Sequence, residues 1–116
     1  RDHLIARAKQ EALDMAVDYT APEAPTLVPA GQGGRVAINL VVKGLVKAGK
    51  ISHHDALVAG KLAHVLTGGD LAKGGQPLSE QDFLDLEREA FVSLAGEPMS
   101  QARMAHMLKT GKPLRN

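Results

Sequence analysis

The chain contains no cysteine and no tryptophan, and only three of its 116 residues, Tyr19, Phe83 and Phe91, are aromatic. The absence of cysteine excludes disulfides, thiolate nucleophiles and zinc sites with thiolate ligands, and it is compatible with a reducing cytosol. The core must therefore be built from Leu, Val, Ile, Met and Ala, which bury less area per residue than aromatic side chains. A small aliphatic core of this kind predicts a domain that docks against another surface.

Long apolar runs and a charge imbalance are missing as well. No uncharged apolar run approaches the roughly 20 residues that a membrane-spanning helix needs, and Asp2, His3 and Arg7 interrupt any signal-peptide pattern. Fourteen basic residues stand against 13 acidic ones, and a net charge of +1 predicts no general attraction to nucleic acid. We therefore expect a soluble, cytoplasmic protein without a membrane span.

The first residue is Arg1 rather than Met, and a helix-forming stretch follows it directly. This start favours a single helical domain, residues 1–116, taken from a larger protein. The length fits one small domain with one modest core.

Apolar spacing and the positions of Gly and Pro predict an all-α fold of about five helices joined by Gly/Pro-rich loops. The first two helices are predicted at residues 2–19 and 35–48, the second ending before Gly49. Ser52 and Ser79, each followed three residues later by Asp, are the predicted N-caps of the third and fourth helices. The fifth helix is predicted to begin at residues 98–100 and to end at Gly111.

Residues 35–48 predict the central helix of a small bundle. Arg35, Asn39, Lys43 and Lys47 recur every four residues, and almost everything between them is apolar. We expect this polar stripe to be an ordinary solvated face, with contact to a phosphorylated ligand as the alternative. The predicted core residues of this helix are Val36, Ile38, Leu40, Val41, Val42, Leu45 and Val46.

A glycine-rich segment, GQGG at 31–34, precedes the second helix. A dinucleotide-binding fingerprint would need a preceding strand and a third glycine at position 36, where this chain has Val36. The candidate strand covers only residues 26–28 and is followed by Pro29. The segment therefore predicts a flexible connector rather than a phosphate-binding loop, and no cofactor site in this chain.

Three histidines raise the question of a metal. Neighbouring side chains on a helix point about 100° apart, so His53, His54 and Asp55 do not converge on one ion. His64 has glycines four residues away on both sides. We expect no metal site and treat these histidines as exposed or capping residues; a small metal enzyme that uses His53, His54 and His64 is a further alternative.

Glu87 falls inside the apolar stripe of the fourth helix. The apolar residues of that stripe are Phe83, Leu86, Ala90, Phe91 and Leu94. A carboxylate there must be paired, hydrogen-bonded or perturbed in its pKa. We expect a structural buried charge that pairs with Arg88, Arg103 or Arg35; an acid/base or ligand-contacting carboxylate is the alternative.

Four segments together resemble a known family. They read KAGKISHHD at 47–55, KLAHVLTGGD at 61–70, LEREAF at 86–91 and HMLKTGKPLRN at 106–116. They resemble the C-terminal end of bacterial 3-hydroxyacyl-CoA dehydrogenases of fatty-acid β-oxidation, in which the dehydrogenase part is fused to an enoyl-CoA hydratase (crotonase)-like part. The resemblance covers the last 75 or so residues best, and the 106–116 run is its most specific element.

The resemblance implies that the NAD-binding Rossmann domain and the crotonase catalytic residues lie elsewhere in a parent enzyme. It therefore places no catalytic and no cofactor-binding residue in this chain, while the parent enzyme uses NAD. By similarity, Lys109, Lys112 and Arg115 are candidate contacts to the phosphates of CoA.

The predicted function is that of a C-terminal helical domain of such an enzyme, structural or lining the CoA site, without catalysis of its own. The expected partners are the rest of the parent chain and acyl-CoA, and an uncovered apolar patch also favours a homo-oligomer. The alternative from another class is a stand-alone helical module for protein interaction.

Overall fold

The computed structural model describes residues 2–73 and 75–116. Within them it contains five α-helices: α1 (Asp2–Ala16), α2 (Gly31–Lys47), α3 (His53–Leu66), α4 (Glu80–Ala95) and α5 (Pro98–Thr110). Two strands of two residues each, β1 (Thr26–Leu27) and β2 (Leu78–Ser79), pair antiparallel, with Leu27 opposite Leu78. A short 3-10 helix, Gly69–Leu71, follows α3. The predicted all-α class with five helices is confirmed.

Among the described residues, none of the helices combines the length and the apolar character that crossing a membrane requires.

Two capping boxes begin α3 and α4, as the Ser and Asp positions predict. The Ser52 hydroxyl accepts the Asp55 N–H at 3.0 Å, and the Asp55 carboxylate accepts the Ser52 N–H at 2.9 Å. Ser79 and Asp82 repeat this pair of bonds at 3.2 and 2.9 Å. Each box satisfies N–H groups that the first helical turn leaves without an intrahelical acceptor.

The predicted end of α2 is also confirmed. Gly49 has a φ of +68°, its N–H donates to the Val46 carbonyl at 2.9 Å, and the Lys50 N–H donates to the Leu45 carbonyl at 3.0 Å. This is the Schellman arrangement, which glycine adopts without a steric penalty. At the other end α2 begins at Gly31, four residues earlier than predicted, and α1 ends at Ala16, three residues before the predicted Tyr19.

The prediction that residues 35–48 form the central helix is wrong. The helix packed on two sides is α3, which lies between α2 and α4. None of the α2 residues, all of which the structure describes, is buried, and Val36, Leu40 and Val41 are 60, 71 and 64% exposed. An apolar helix becomes a core helix only when neighbours surround it, and here α2 has its main packing partner, α3, on one side only.

The buried residues lie around α3 instead. The buried apolar side chains are Ala63, Leu78 and Leu86, and the buried polar ones are His54 and Thr67. Three of these five belong to α3 or its C-cap, Leu86 belongs to α4 and Leu78 to β2. The core is therefore the contact between α3 and α4, closed at one end by the short β pair.

The chain exposes more surface than a compact protein of its mass. Its accessible surface is 9251 Å² at 12.3 kDa, whereas the scaling for folded monomers gives about 6,100 Å². Its radius of gyration is 20.7 Å, against about 13 Å for a compact domain of this length. Residues 3–28, which include almost all of α1, are all exposed. Much of the apolar surface is therefore uncovered within this chain.

Candidate functional site

The glycine-rich segment forms the first turn of α2, so the predicted flexible connector is wrong. The Gly31 N–H donates to the Thr67 carbonyl at the end of α3, at 3.2 Å. A Cβ on Gly34 would lie 2.5 Å from the Ala30 Cβ and 3.6 Å from the Thr67 Cγ2. A side chain at position 34 would thus clash with Ala30, the N-cap of α2, whereas it would only touch Thr67, and the close approach of Ala30 accounts for the glycine there.

Arg35 turns toward α3 and is not a solvated member of the polar stripe. Its Nη1 contacts the His64 Nδ1 at 3.0 Å, its Nη2 donates to the Gly69 carbonyl at 2.8 Å, and its Nε is buried without a hydrogen-bond partner in the described residues. A guanidinium can only donate, so the His64 Nδ1 must be the acceptor and carries no proton in this contact. Arg35 therefore joins α2, α3 and the turn after α3.

The histidines considered as metal ligands lie in different environments. His53 is exposed, whereas His54 is only 5% exposed and its Nε2 lies 2.9 Å from the Ser100 Oγ on α5. The described residues contain no group of three or more His, Cys, Asp or Glu side chains that could hold a metal ion. The burial of His54 was not predicted from the sequence, although its spacing from Val58 and Val65 places it on the inner face of α3.

Glu87 is exposed, so the prediction of a structural buried charge at this position is wrong. The ion pairs of the described chain are Arg7–Glu11, Arg88–Asp85 and Arg103–Asp55, which leave Glu87 outside them. Burial of Glu87 would require the whole apolar stripe of α4 to be covered, but Phe91 on that stripe is itself 66% exposed. Glu87 instead lies at the rim of an apolar groove between β1, α3 and α4.

A basic groove lies where the start of α3 meets α5 and the tail. It has a volume of about 650 Å³, and its charged lining residues are Lys50, Asp55, Arg103 and Arg115. Three cations against one carboxylate leave the groove with a net positive charge. Such a groove suits an anionic ligand, because cations at a partly enclosed surface attract phosphate and carboxylate groups.

Arg103 holds this groove together. Its Nη1 pairs with the Asp55 Oδ1 at 2.8 Å, its Nε donates to the Asn116 Oδ1 at 2.6 Å, and its Nη2 donates to the Asn116 main-chain oxygen at 3.0 Å. The Asn116 side-chain amide donates in turn to the Met99 carbonyl at 3.1 Å. One arginine therefore fixes the tail against the first turns of α3 and α5.

Asp55 is the acidic residue that lines the basic groove, and hydrogen bonds from its neighbours lower its pKa. The Ser52 N–H, then the Arg103 guanidinium and the Ser52 hydroxyl, lower the pKa of Asp55 from 3.8 to about 2. These donors stabilise the ionised carboxylate more than its protonated form. Asp55 is thus an anion at neutral pH and serves as the partner of Arg103, not as a proton donor.

The structure separates the three tail bases that the resemblance grouped together. All three are exposed, but Arg115 lines the basic groove, as Lys50 does, whereas Lys109 and Lys112 are not among its lining residues. Lys50 was missed because it lies far from Arg115 in sequence, and no local pattern joins the two.

Comparison with known proteins gives one relative. The chain is 43% identical over 117 aligned positions to a protein from Bacillus subtilis (strain 168) described as a probable 3-hydroxyacyl-CoA dehydrogenase. The match covers 100% of this chain but only 15% of that relative's length. No protein-family model matches the chain, and no solved structure matches it.

Proposed function

We propose that this chain is a helical segment of a longer 3-hydroxyacyl-CoA dehydrogenase of the cytoplasm, with its NAD site elsewhere in that polypeptide. The observation that supports this is the 43% identity along the whole chain to part of such a protein. A role in fatty-acid β-oxidation and a fusion to an enoyl-CoA hydratase-like part belong to the same proposal and rest on the resemblance of the four sequence segments.

The role proposed for the segment is structural. The polar side chains that come together in the described residues join elements of the fold: Arg35 with His64 joins α2 to α3, and His54 with Ser100 joins α3 to α5. Oxidation of an alcohol needs a proton acceptor beside the substrate oxygen and a bound hydride acceptor. We assign both to the rest of the longer polypeptide.

The basic groove adds a second element to the proposal, a contact with the phosphates of the acyl-CoA. Arg115 and Lys50 line the groove, and neither takes part in an ion pair in the described residues. A phosphate group between them would gain charge-assisted hydrogen bonds. This favours Arg115 with Lys50, rather than Lys109 or Lys112, as the contact.

Steady-state kinetics of the full-length polypeptide test the proposed activity. NADH formation from NAD and a 3-hydroxyacyl-CoA is the expected result, and its absence for a range of acyl lengths would refute the assignment. Arg115→Ala and Lys50→Ala should each raise the KM for the acyl-CoA severalfold, with the KM for NAD unchanged. Lys109→Ala is the matched control, since it removes an exposed base that does not line the groove.

The second candidate function is a stand-alone protein-interaction module, which the large exposed apolar surface favours. The two candidates differ in their response to CoA. A polypeptide that binds no CoA and forms no NADH, yet binds a protein partner through these helices, would favour the interaction module.

A further inference from the structure

An uncovered apolar groove lies between β1, α3 and α4, on a surface distinct from the basic groove. Leu27, Val28, Val65, Leu66, Phe83 and Leu84 line it, and its volume is about 450 Å³. Four of these side chains are large and open to solvent: Leu27 and Val28 are each 63% exposed, Leu66 is 60% and Leu84 is 45% exposed. These six residues form the apolar groove, and Glu80 and Glu87 lie at its rim.

The chain as a whole exposes more surface than a compact monomer, and the exposed residues 3–28 contribute to this excess together with the apolar groove. The 9251 Å² of accessible surface exceeds the compact-monomer value of about 6,100 Å² by about 3,000 Å². Stable interfaces of the obligate class bury about 2,000–5,000 Å² in total. Half of such an area, about 1,000–2,500 Å², lies on each partner, so the excess is large enough to include one side of an interface in addition to the exposed residues 3–28.

The acidic residues at the rim of the apolar groove indicate that its occupant carries basic residues. Glu80 and Glu87 lie two turns apart on α4, on the same face as Phe83 and Leu84, and they are the only charged residues in its lining. Neither takes part in an ion pair in the described residues. A segment with an apolar face and flanking Lys or Arg residues would cover the leucines and pair with both carboxylates.

We propose that the apolar groove is the docking site for such a segment, basic at its edges and apolar at its centre, from the part of the longer polypeptide outside residues 1–116. This proposal rests on the proposed function, since this chain spans only 15% of its relative. A segment of the same polypeptide is held near the groove at a high effective concentration. A second copy would instead lose translational and rotational freedom on binding.

The chain's own α1 does not occupy the groove. Every described side chain of α1 is exposed, and the lining of the apolar groove begins at Leu27, after the linker that follows α1.

Thiol labelling of the full-length polypeptide tests the proposal. The chain has no cysteine, so Leu66→Cys introduces one thiol in the groove, and Leu108→Cys, at an 89% exposed position on α5, is the matched control. Peptide-resolved mass spectrometry follows each thiol in folded and urea-unfolded protein. Leu66→Cys should react about tenfold more slowly in the folded protein, independently of protein concentration, while Leu108→Cys measures the reactivity of an open site.

Two labelling results would overturn the proposal. Equal rates for Leu66→Cys in folded and unfolded protein would show an open groove, and protection that disappears on dilution would assign the groove to a second copy.

Carbodiimide crosslinking of the unmodified polypeptide needs no variant and identifies the occupant. Glu80 or Glu87 should couple to a lysine outside residues 1–116; coupling only to lysines within this range, such as Lys9 of α1, would refute the docking segment. The same preparation is assayed for NADH formation. An open groove in an active dehydrogenase refutes the docking site alone, whereas a protected groove in an inactive protein refutes the proposed function alone.

Discussion

Gly34→Ala should destabilise the chain although alanine is the better helix former. Gly34 lies in the first turn of α2, where the positive φ of Gly31 brings Ala30 back against it. The added Cβ would lie 2.5 Å from the Ala30 Cβ, whereas carbon atoms in contact are separated by about 3.5–4.0 Å. Gly33→Ala is the matched control, because a Cβ at that position meets nothing within 4 Å.

Gly33→Ala and Gly34→Ala should change the free energy of unfolding in opposite directions. Ala in place of Gly favours a helix by up to about 1 kcal/mol, and Gly33→Ala should show a stabilisation of this order. At position 34 the same gain is opposed by overpacking, which costs about 1–3 kcal/mol. The upper part of that range applies, because the Ala30 Cβ cannot rotate away and Thr67, 1% exposed, closes the other side. Gly34→Ala should therefore lower the free energy of unfolding by about 1–2 kcal/mol net.

Urea denaturation followed by far-UV circular dichroism measures both variants. The midpoint of Gly34→Ala should fall below that of the wild type and the midpoint of Gly33→Ala should rise, with unchanged slopes. If Gly34→Ala stabilises the chain as much as Gly33→Ala does, Ala30 does not lie against position 34 as described, and the reasoning is refuted.

Three further predictions concern stability. The pKa of Asp55 is lowered from 3.8 to about 2 in the folded chain, first by the Ser52 N–H and then by Arg103. Its contribution to the free energy of unfolding is therefore present above about pH 4 and is lost as the pH falls toward 2. Asp55→Asn should flatten the pH dependence of the urea midpoint over that interval, and an unchanged pH profile would contradict the roles of Ser52 and Arg103. Leu86→Ala, at an 8% exposed site, should lower the free energy of unfolding by about 2–3 kcal/mol. Glu87→Ala should change it by no more than about 0.5 kcal/mol in the isolated chain. A large loss of stability in Glu87→Ala would support the buried-charge hypothesis instead. Ser79→Ala should lower the free energy of unfolding by about 1 kcal/mol through loss of the cap, and Ser79→Thr, which keeps a hydroxyl that both accepts from the Asp82 N–H and donates to its carboxylate, should recover most of it in the same urea denaturation.

The helix boundaries that depend on local chemistry could be predicted from the sequence. Ser52 and Ser79 begin helices because their hydroxyls accept N–H groups three residues away, and Gly49 ends one because it adopts a positive φ. Each of these interactions joins residues within one helical turn. The class of the fold follows from them, since they divide the chain into five helical segments.

The placement of those helices could not be predicted in the same way. The apolar residues of α2 predict a core helix, yet none of them is buried and Val36, Leu40 and Val41 are exposed, because burial depends on which elements lie beside α2 and not on its own composition. Glu87 was misplaced for the same reason, since the stripe that surrounds it on the helical wheel is covered only in part.

The pairings of the candidate site were decided by tertiary structure alone. Arg35 reaches His64, Arg103 reaches Asp55 and Asn116, and Arg115 comes beside Lys50 although the sequence separates them. A long cationic side chain has many partners within reach, and its sequence neighbours do not select one. The selection is made by packing: α2 against α3 places Arg35 at His64, and α5 near the start of α3 places Arg103 at Asp55, where the fixed geometry of the guanidinium favours a single arrangement.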